Sequence, residues 1–323
     1  MSNQRNEKKR TFAGILKAVH QPKLSTTAKK KVMTNVKDYL TLSNGVQMPL
    51  LGYGTMPTDW TKGYGHEFVD TLVQAIHTGY RNIDTAAIYG TEEYVGEAVK
   101  SCIADGTTTR KELFISTKVW NTDRGYDRTL RAFDRSMSAL GLDVLDLYLI
   151  HTPAVAKWHS DWAEINLSTW RAMERLYHEG RIRAIGVSNF LPHHLQALTA
   201  EAEVVPMVNQ IEVHPGFTSA TTRDYCRQYG IAIEAWGPFG NGQVLQNKQL
   251  AEIAHAHHKS VAQVCLRWLI QQSICPLPKS NNPQRMAENR QIFDFSLTET
   301  EMSLISALTD CGGFCVDADN AEE

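Results

Sequence analysis

Gly52-Tyr53-Gly54-Thr55-Met56-Pro57 is the stretch that decides between two architectures for this chain. It closes the first β-prone run, where an open, doubly wound sheet would carry a Gly-x-Gly-x-x-Gly turn leading into a helix. The third glycine is missing, and the segment runs into proline instead. A doubly wound sheet is therefore disfavoured.

Outward from this stretch, short β-prone runs alternate with longer segments of helical period. The eight runs are 50–54, 81–85, 114–119, 145–151, 184–188, 208–212, 231–236 and 274–278. Phe68, Leu72, Val73 and Ile76, between the first two runs, follow the spacing of an amphipathic helix. Because eight parallel strands close into a barrel without leaving an edge, the alternation predicts a (β/α)8 TIM barrel of the α/β class. Ser43-Asn44-Gly45, between two further β-prone runs, predicts an amino-terminal β-hairpin.

The first 37 residues differ in composition from the rest. Residues 1–37 contain ten lysines and arginines and a single acid, although the whole chain of 323 residues has a formal net charge of −2. A charge-rich segment without its own apolar core is typical of disorder, so we expect a disordered basic tail over 1–37 and one barrel domain over 38–323. Apolar residues at helical spacing from Phe12 to Val19 leave open a targeting or membrane-surface role for the tail.

Composition disfavours several other classes of protein. No apolar run approaches the roughly 20 residues that span a bilayer, and the start lacks the apolar core and cleavage site of a secretory signal. The six cysteines are dispersed, without a Cys-x-x-Cys pair or the spacing of zinc ligands. We therefore expect a cytoplasmic protein that uses no metal and has neither nucleic acid nor membrane as a partner.

Four reactive side chains fall where predicted strands end, which is the end of such a barrel that carries the active site. Asp84 ends the second run and Tyr89 follows it, Lys118 lies near the end of the third run, and His151 ends the fourth. Each residue alone also suits a structural role, as a helix cap, a rim residue or a solvated strand end. Together they predict carbonyl reduction: Asp84 holds Lys118, Lys118 lowers the tyrosine pKa from about 10, Tyr89 donates a proton, and neutral His151 orients the carbonyl oxygen.

A second polar group lies between the eighth run and a helix that Pro283 can begin. Barrels commonly bind phosphate around strands seven and eight and at such a helix start. Lys279, Ser280 and Arg285 suit a 2′-phosphate, which favours NADPH over NADH; the alternative is a solvated helix start with incidental charges. The other candidate cofactor contacts in this segment are Asn281, Glu288 and Asn289, the last two toward an adenine edge.

Further segments at the predicted barrel mouth complete a candidate nicotinamide site. Ser188, Asn189 and Gln210 offer the hydroxyl and amide groups that a carboxamide needs, and Trp236 offers a flat face for stacking. Each residue is also open to interpretation as a loop cap or a core residue, but their shared location favours the site. The neighbouring candidate cofactor contacts are Gly54, Thr55, Pro238 and Phe239.

In order and spacing, these segments resemble the aldo-keto reductases, from about residue 39 to residue 305. The resemblance implies the tetrad Asp84, Tyr89, Lys118 and His151, an extended NADPH across the barrel mouth, ordered binding with cofactor first, and a monomer. Trp236, where many animal members have tyrosine, and the short segment 151–161 resemble the bacterial branch that includes diketogluconate and methylglyoxal reductases. The motifs are Gly79-Tyr80-Arg81-Asn82-Ile83-Asp84-Thr85-Ala86, Tyr89-Gly90, Ser116-Thr117-Lys118, Asp146-Leu147-Tyr148-Leu149-Ile150-His151, Gly186-Val187-Ser188-Asn189-Phe190, Asn209-Gln210 and Pro278-Lys279-Ser280.

Two positions depart from the family pattern. Met56 stands where relatives often carry tryptophan, and Thr152 stands where they often carry the tryptophan of a His-Trp-Pro sequence. Both positions would line the substrate pocket, so we expect a less aromatic pocket for a small carbonyl substrate that the sequence does not identify.

Two other functions compete with reduction. The same fold serves as a non-catalytic, NADPH-binding auxiliary subunit of membrane proteins, but an intact tetrad argues against that role here. A Schiff-base role for Lys118 is also disfavoured, because a lysine held in an ion pair with Asp84 is a poor amine nucleophile.

Overall fold

A computed structural model describes residues 39–57, 64–155, 160–309, 311–314 and 317–319. The basic tail predicted for residues 1–37 lies outside the described residues. Within the described ranges, an antiparallel hairpin is followed by eight strands and ten α-helices.

The eight strands form one parallel sheet in chain order. They are β3 (Gly52–Gly54), β4 (Asn82–Asp84), β5 (Phe114–Val119), β6 (Leu145–Ile150), β7 (Ile182–Ser188), β8 (Val208–Glu212), β9 (Ala232–Trp236) and β10 (Ile274–Pro276). Each predicted run contains or overlaps one of them. The Gly54 N–H donates to the Pro278 carbonyl oxygen at 3.1 Å across the seam between β10 and β3. The sheet is therefore nearly closed, and the predicted barrel is confirmed.

The helices follow the strands in alternation, as the periodicity predicts. α1 buries Phe68, Leu72 and Ile76, and it ends at Gly79, whose left-handed φ of 104° suits glycine. The helices are α1 (Glu67–Thr78), α2 (Glu92–Ala104), α3 (Tyr126–Leu140), α4 (Trp162–His178), α5 (Pro192–Thr199), α6 (Ala220–Gln228), α7 (Lys248–Ala256), α8 (Val261–Gln271), α9 (Pro283–Arg290) and α10 (Glu299–Ser306).

The barrel wall is buried on both faces. Every residue of β5 and β6 is buried, as expected for parallel strands covered by helices. Gly186 in β7 has no room for a side chain, because an added Cβ would lie 2.6 Å from the Val208 carbonyl oxygen and 2.8 Å from Leu149. This close approach of β7 to β8 explains a glycine within an apolar strand.

The predicted hairpin is also present. β1 (Tyr39–Thr41) pairs antiparallel with β2 (Gln47–Pro49). The Asn44 side chain donates to the Arg183 carbonyl oxygen at 2.9 Å near the start of β7, and the Cys275 thiol donates to the Pro49 carbonyl oxygen at 3.3 Å. The hairpin therefore covers the amino-terminal end of the barrel, opposite the predicted site. Among the described helices, none is both long and apolar enough to cross a bilayer.

Candidate active site

Asp84 and Lys118 form a buried ion pair at the carboxyl ends of β4 and β5. Lys118 Nζ lies 2.9 Å from Asp84 Oδ1 and 2.7 Å from Oδ2, and it donates to the Thr85 carbonyl oxygen at 2.9 Å. All three N–H groups of the ammonium thus have acceptors. Burial lowers the pKa of Lys118, but Asp84, Tyr89 and Glu234 outweigh burial and raise the net value. The ammonium therefore stays charged at neutral pH.

Tyr89 ends a short 3₁₀ turn, Ala87–Tyr89, that follows β4. Lys118 Nζ lies 4.9 Å from the centroid of its ring. Burial raises the pKa of the phenol, Lys118 lowers it and Asp84 raises it, and the net shift is upward. The prediction of a lowered tyrosine pKa is wrong for the net effect, because desolvation outweighs the lysine charge. The Tyr89 phenol therefore keeps its proton at neutral pH.

His151 follows β6 and faces the same cluster. Its ring centroid lies 5.6 Å from that of Tyr89, with the rings 80° apart, and 5.0 Å from that of Trp120. Burial, aided by the Lys118 charge, holds the pKa of His151 well below its ordinary value, so the imidazole is neutral as predicted. The sequence predictions do not include Trp120. Its position two residues after Lys118 is the signal that could have identified it.

A polar network continues from Asp84 into the barrel. Ser116 Oγ and Gln210 Nε2 donate to Asp84 Oδ1 at 2.9 and 2.8 Å. Gln210 Nε2 also donates to Glu234 Oε2 at 2.9 Å, and Asn82 Nδ2 donates to Glu234 Oε1 at 3.2 Å. Glu234 and Asn82 are fully buried. Neither is among the sequence predictions; a charged residue inside the apolar seventh run is the only signal for Glu234.

Ser188, Asn189 and Trp236 form a hydrogen-bonded rim next to His151. Asn189 Nδ2 donates to the His151 carbonyl oxygen at 3.0 Å and to Ser188 Oγ at 3.2 Å, and Trp236 Nε1 donates to Asn189 Oδ1 at 2.9 Å. Ser188 Oγ donates to the Gln210 carbonyl oxygen at 2.9 Å. The structure brings the predicted nicotinamide residues together, with the Asn189 amide joining the ends of three strands.

The segment between β10 and α9 forms a capped helix start. Pro283 is the first residue of α9, and Asn282 Oδ1 caps the helix by accepting from the Arg285 N–H at 3.1 Å. The segment contains exposed Asn281 and Arg285, half-buried Lys279, Ser280 and Glu288, and buried Asn289. The predicted phosphate residues therefore lie in the segment that leads into one helix start, the kind of place where helix N–H groups and cations suit an anion.

Lys279 lies against aromatic side chains rather than a carboxylate. Its Nζ atom contacts the Tyr64 hydroxyl and lies 4.8 Å from the Tyr64 ring centroid and 5.9 Å from that of Phe68. The two rings are stacked with centroids 3.8 Å apart. Burial lowers the pKa of Lys279 to about 8.

The other predicted cofactor contacts lie at the ends of β3 and β9. Gly54 is half-buried at the barrel seam, and the Thr55 N–H donates to the Asp84 carbonyl oxygen at 3.0 Å. Pro238 is buried and Phe239 is half-buried, two and three residues after the end of β9. Thr55 is fully buried, and its hydroxyl lies 3.0 Å from that of Thr91.

The two predicted substrate residues differ in exposure. Met56 is half-buried, and its carbonyl oxygen accepts a hydrogen bond from the Tyr64 hydroxyl at 3.3 Å. Thr152 is 8% exposed, and its hydroxyl donates to Asn121 Oδ1 at 2.5 Å. The Thr152 hydroxyl is thus already bonded within the protein.

Phe314 adds an aromatic face that the sequence predictions do not include. Its ring centroid lies 5.7 Å from that of Trp236, and its N–H donates to Glu212 Oε1 at 2.7 Å. Phe314 lies beyond residue 305, where the motif resemblance ends, so no local pattern identified it.

The residues at this end of the barrel fit a nicotinamide dinucleotide phosphate. Within the described residues, Gln210 Oε1 accepts no hydrogen bond, although both N–H groups of the amide are bonded to carboxylates. Trp236 is only partly buried, and Lys279 and Arg285 offer cations at the α9 start. A hydrogen-bond acceptor, a flat aromatic face and two cations thus lie on one face of the fold.

Comparisons with known proteins agree with this geometry. The model of the aldo/keto reductase family matches residues 50–310. A glyoxal reductase of Bacillus subtilis (strain 168) is 49% identical over 275 residues, covering 85% of this chain and 94% of that protein. This match agrees with the resemblance to bacterial reductases.

Solved structures give the same result. An aldo-keto reductase from a Medee basin deep-sea metagenome library has a TM-score of 0.80 at 40% identity, covering 88% of this chain and 100% of that one. An aldo-keto reductase of Bombyx mori in complex with NADP has a TM-score of 0.80 at 36% identity, covering 87% of this chain and 96% of that one. With a family model that spans most of the described barrel, the chain belongs to the aldo/keto reductase family of oxidoreductases.

Proposed function

We propose that this protein reduces an aldehyde or ketone to an alcohol with NADPH, using Tyr89 as the proton donor. The observation that carries the proposal is the cluster at the ends of β4, β5 and β6. There a protonated phenol and a neutral imidazole, with ring centroids 5.6 Å apart, adjoin a buried Lys118–Asp84 ion pair.

The cluster suits donation of a proton to a carbonyl oxygen. NADPH would supply a hydride from nicotinamide C4 to the carbonyl carbon. Tyr89 would give its proton to the oxygen, since the pKa of an alkoxide is far above that of even a buried phenol. Lys118, 4.9 Å from the Tyr89 ring centroid, would stabilise the phenolate left behind. His151 would orient the oxygen by donating a hydrogen bond from its neutral ring.

The preference for NADPH is proposed from the α9 start. Lys279, Ser280 and Arg285 would hold the 2′-phosphate, and Asn281, Glu288 and Asn289 lie next to them for the adenosine. Ser188, Asn189, Gln210 and Trp236 would hold the nicotinamide end, beside Gly54, Thr55, Pro238 and Phe239. Equal kcat/KM values with NADPH and NADH would contradict this preference.

The substrate proposal is a small carbonyl compound bound between Met56 and Thr152. Because the B. subtilis relative is named a glyoxal reductase, glyoxal and methylglyoxal head the panel to be tested, followed by keto sugars, aromatic aldehydes and steroids. Oxidation of NADPH, followed by its absorbance, identifies the compounds that turn over.

Tyr89→Phe tests the mechanism, with Tyr177→Phe as the matched control. Tyr177→Phe loses the same hydroxyl at the opposite end of the barrel, where that hydroxyl accepts from Asn44 Nδ2 of the hairpin at 3.4 Å. We expect Tyr89→Phe to lose turnover by about 10²-fold or more while it binds NADPH normally. Near-normal turnover of Tyr89→Phe would remove the proton donor from the mechanism.

The substrate panel with the wild-type protein separates the competing functions. If the wild-type protein binds NADPH but oxidises it with no compound of the panel, the non-catalytic auxiliary role replaces the reductase. A Schiff-base role for Lys118 requires a free amine, whereas all three of its N–H groups are bonded to Asp84 and Thr85. The division of the chain after residue 37, the monomeric state and the cytoplasmic location stay predictions.

A further inference from the structure

The orientation of the Gln210 side chain is fixed by two carboxylates. Its Nε2 atom lies 2.8 Å from Asp84 Oδ1 and 2.9 Å from Glu234 Oε2, so each N–H of the amide has an anionic acceptor. A carboxylate offers only acceptors, and exchange of the amide nitrogen and oxygen would place an oxygen against two anions. Gln210 Oε1 is therefore turned away from both carboxylates, as an acceptor for another group.

We propose that Glu234 is a positioning residue for the cofactor: it holds the Gln210 amide so that Oε1 accepts the N–H of the nicotinamide carboxamide. The inference rests on the proposed function, since it assumes that NADPH binds at this end of the barrel. It adds a fully buried residue of β9, the register partner of Gln210, that would act on the cofactor through Gln210.

Glu234 is needed to hold the Gln210 amide because Asp84, the other acceptor of that amide, is shared with further donors. Asp84 Oδ1 also accepts from Lys118 at 2.9 Å and from Ser116 at 2.9 Å. Glu234 Oε2, by contrast, has Gln210 as its only donor among the described residues, and Asn82 Nδ2 holds Oε1 at 3.2 Å. Asn82 and Asp84 both lie in β4. This strand therefore positions both carboxylates that accept from the Gln210 amide, Asp84 directly and Glu234 through Asn82.

The same carboxyl group makes the orientation sensitive to pH. Burial and the Asp84 charge raise the pKa of Glu234 to about 7, against the lowering effects of Gln210, Asn82 and Lys118. The other titratable group that faces it is the Cys275 thiol of β10, whose pKa is raised further by Glu234. A proton on Glu234 Oε2 would meet the Gln210 N–H and remove that acceptor, which leaves Asp84 Oδ1 to hold the amide. The Gln210 orientation is thus held by two carboxylates above about pH 7 and less firmly as pH falls through this value.

The test compares NADP+ with its 3-acetylpyridine analogue, whose methyl ketone has no N–H to donate. Dissociation constants are measured by calorimetry for the wild type, for Glu234→Leu, which removes both acceptor oxygens, and for the control Glu92→Leu. Glu92, in α2, is a half-buried carboxyl that also has a raised pKa, but it accepts from the Thr117 hydroxyl of β5, outside the Gln210 network. Adenosine 2′,5′-bisphosphate, which lacks the nicotinamide, reports on the phosphate end alone.

We expect the wild type and Glu92→Leu to prefer NADP+ over the analogue by about tenfold near pH 8, as the loss of one buried hydrogen bond implies. Glu234→Leu should lose most of this preference, with the affinity for adenosine bisphosphate unchanged. In the wild type, the preference should fall toward about pH 6, a measurement that needs no variant.

Three results would overturn the inference. A Glu234→Leu protein that keeps the wild-type preference at every pH rejects Glu234 alone and leaves the reductase proposal intact. If Glu234→Leu does not fold, a wild-type preference that is constant across this pH range has the same meaning. A wild type that binds neither NADP+ nor adenosine bisphosphate would reject the proposed function, and this inference with it.

Discussion

Lys118 and Lys279 lie at the same end of the barrel, yet their surroundings differ in kind. Lys118 is fully buried and gives its three N–H groups to Asp84 and Thr85. Lys279 is half-buried and lies against the Tyr64 hydroxyl and two aromatic rings. The pKa of Lys118 is raised by its neighbours, whereas burial lowers the pKa of Lys279 to about 8.

The roles proposed for the two charges account for this difference. A cation that stabilises a phenolate must not move or lose its proton, so a carboxylate neutralises it within the fold. A cation that meets a ligand phosphate must exchange its partner, and a neutral phenol is easier to leave than a carboxylate. Under the proposed function, Lys118 would belong to a prebuilt site, and Lys279 to one that the ligand completes.

The largest effect is expected from Lys118→Met. It leaves Asp84 buried without its counter-ion, which should lower the free energy of unfolding by about 3–5 kcal/mol. Turnover should fall by about 10²- to 10⁴-fold, because the phenolate of Tyr89 loses its stabilising charge. Urea unfolding and NADPH absorbance measure the two effects.

The double variant Asp84→Asn/Lys118→Met separates stability from chemistry. It removes both charges, so most of the lost stability should return while turnover stays low. If the double variant is as unstable as Lys118→Met alone, the buried charge of Asp84 is not the cause.

A smaller effect is expected from Lys279→Met, because the substitution removes only one proposed contact with the cofactor. The ratio of kcat/KM for NADPH to that for NADH should fall by about tenfold or more, as for a lost charged hydrogen bond. Stability should barely change, in contrast to Lys118→Met. Lys248→Met, at the exposed start of α7, is the control, and an equal loss there would point to a general effect of charge.

The contrast between the two lysines also shows what a sequence can predict. The β-prone runs locate all eight strands, and strand ends identify Asp84, Lys118 and His151, because these features are local. Contacts between residues far apart in the chain are not local. Tyr64 meets Lys279 across 215 positions, and Asn82 meets Glu234 across 152. The net pKa of Tyr89 likewise depends on burial, which no local pattern contains.

The pH dependence of NADPH binding should distinguish the lysines without a substitution. Lys279 is charged below its pKa of about 8. The affinity for NADPH should therefore be highest below that pH and fall above it by at most about tenfold per pH unit. Lys118 stays charged over this range because its pKa is raised. Lys279→Arg should abolish the alkaline loss, since arginine keeps its charge. Persistence of the loss in Lys279→Arg would assign it to another group.

The smallest effect is expected from Tyr64→Phe, which tests the idea that Lys279 must leave a partner. The variant keeps the ring that stacks on Phe68 at 3.8 Å and removes only the hydroxyl that contacts Lys279 and Met56. Because binding no longer breaks the hydrogen bond from Lys279, NADPH should bind about threefold more tightly, while NADH, which has no 2′-phosphate, should bind as before. Calorimetry with both cofactors measures this difference. Weaker binding of NADPH would show the opposite, that the Tyr64 hydroxyl holds Lys279 in place for the phosphate, and Lys279 would then be prebuilt like Lys118.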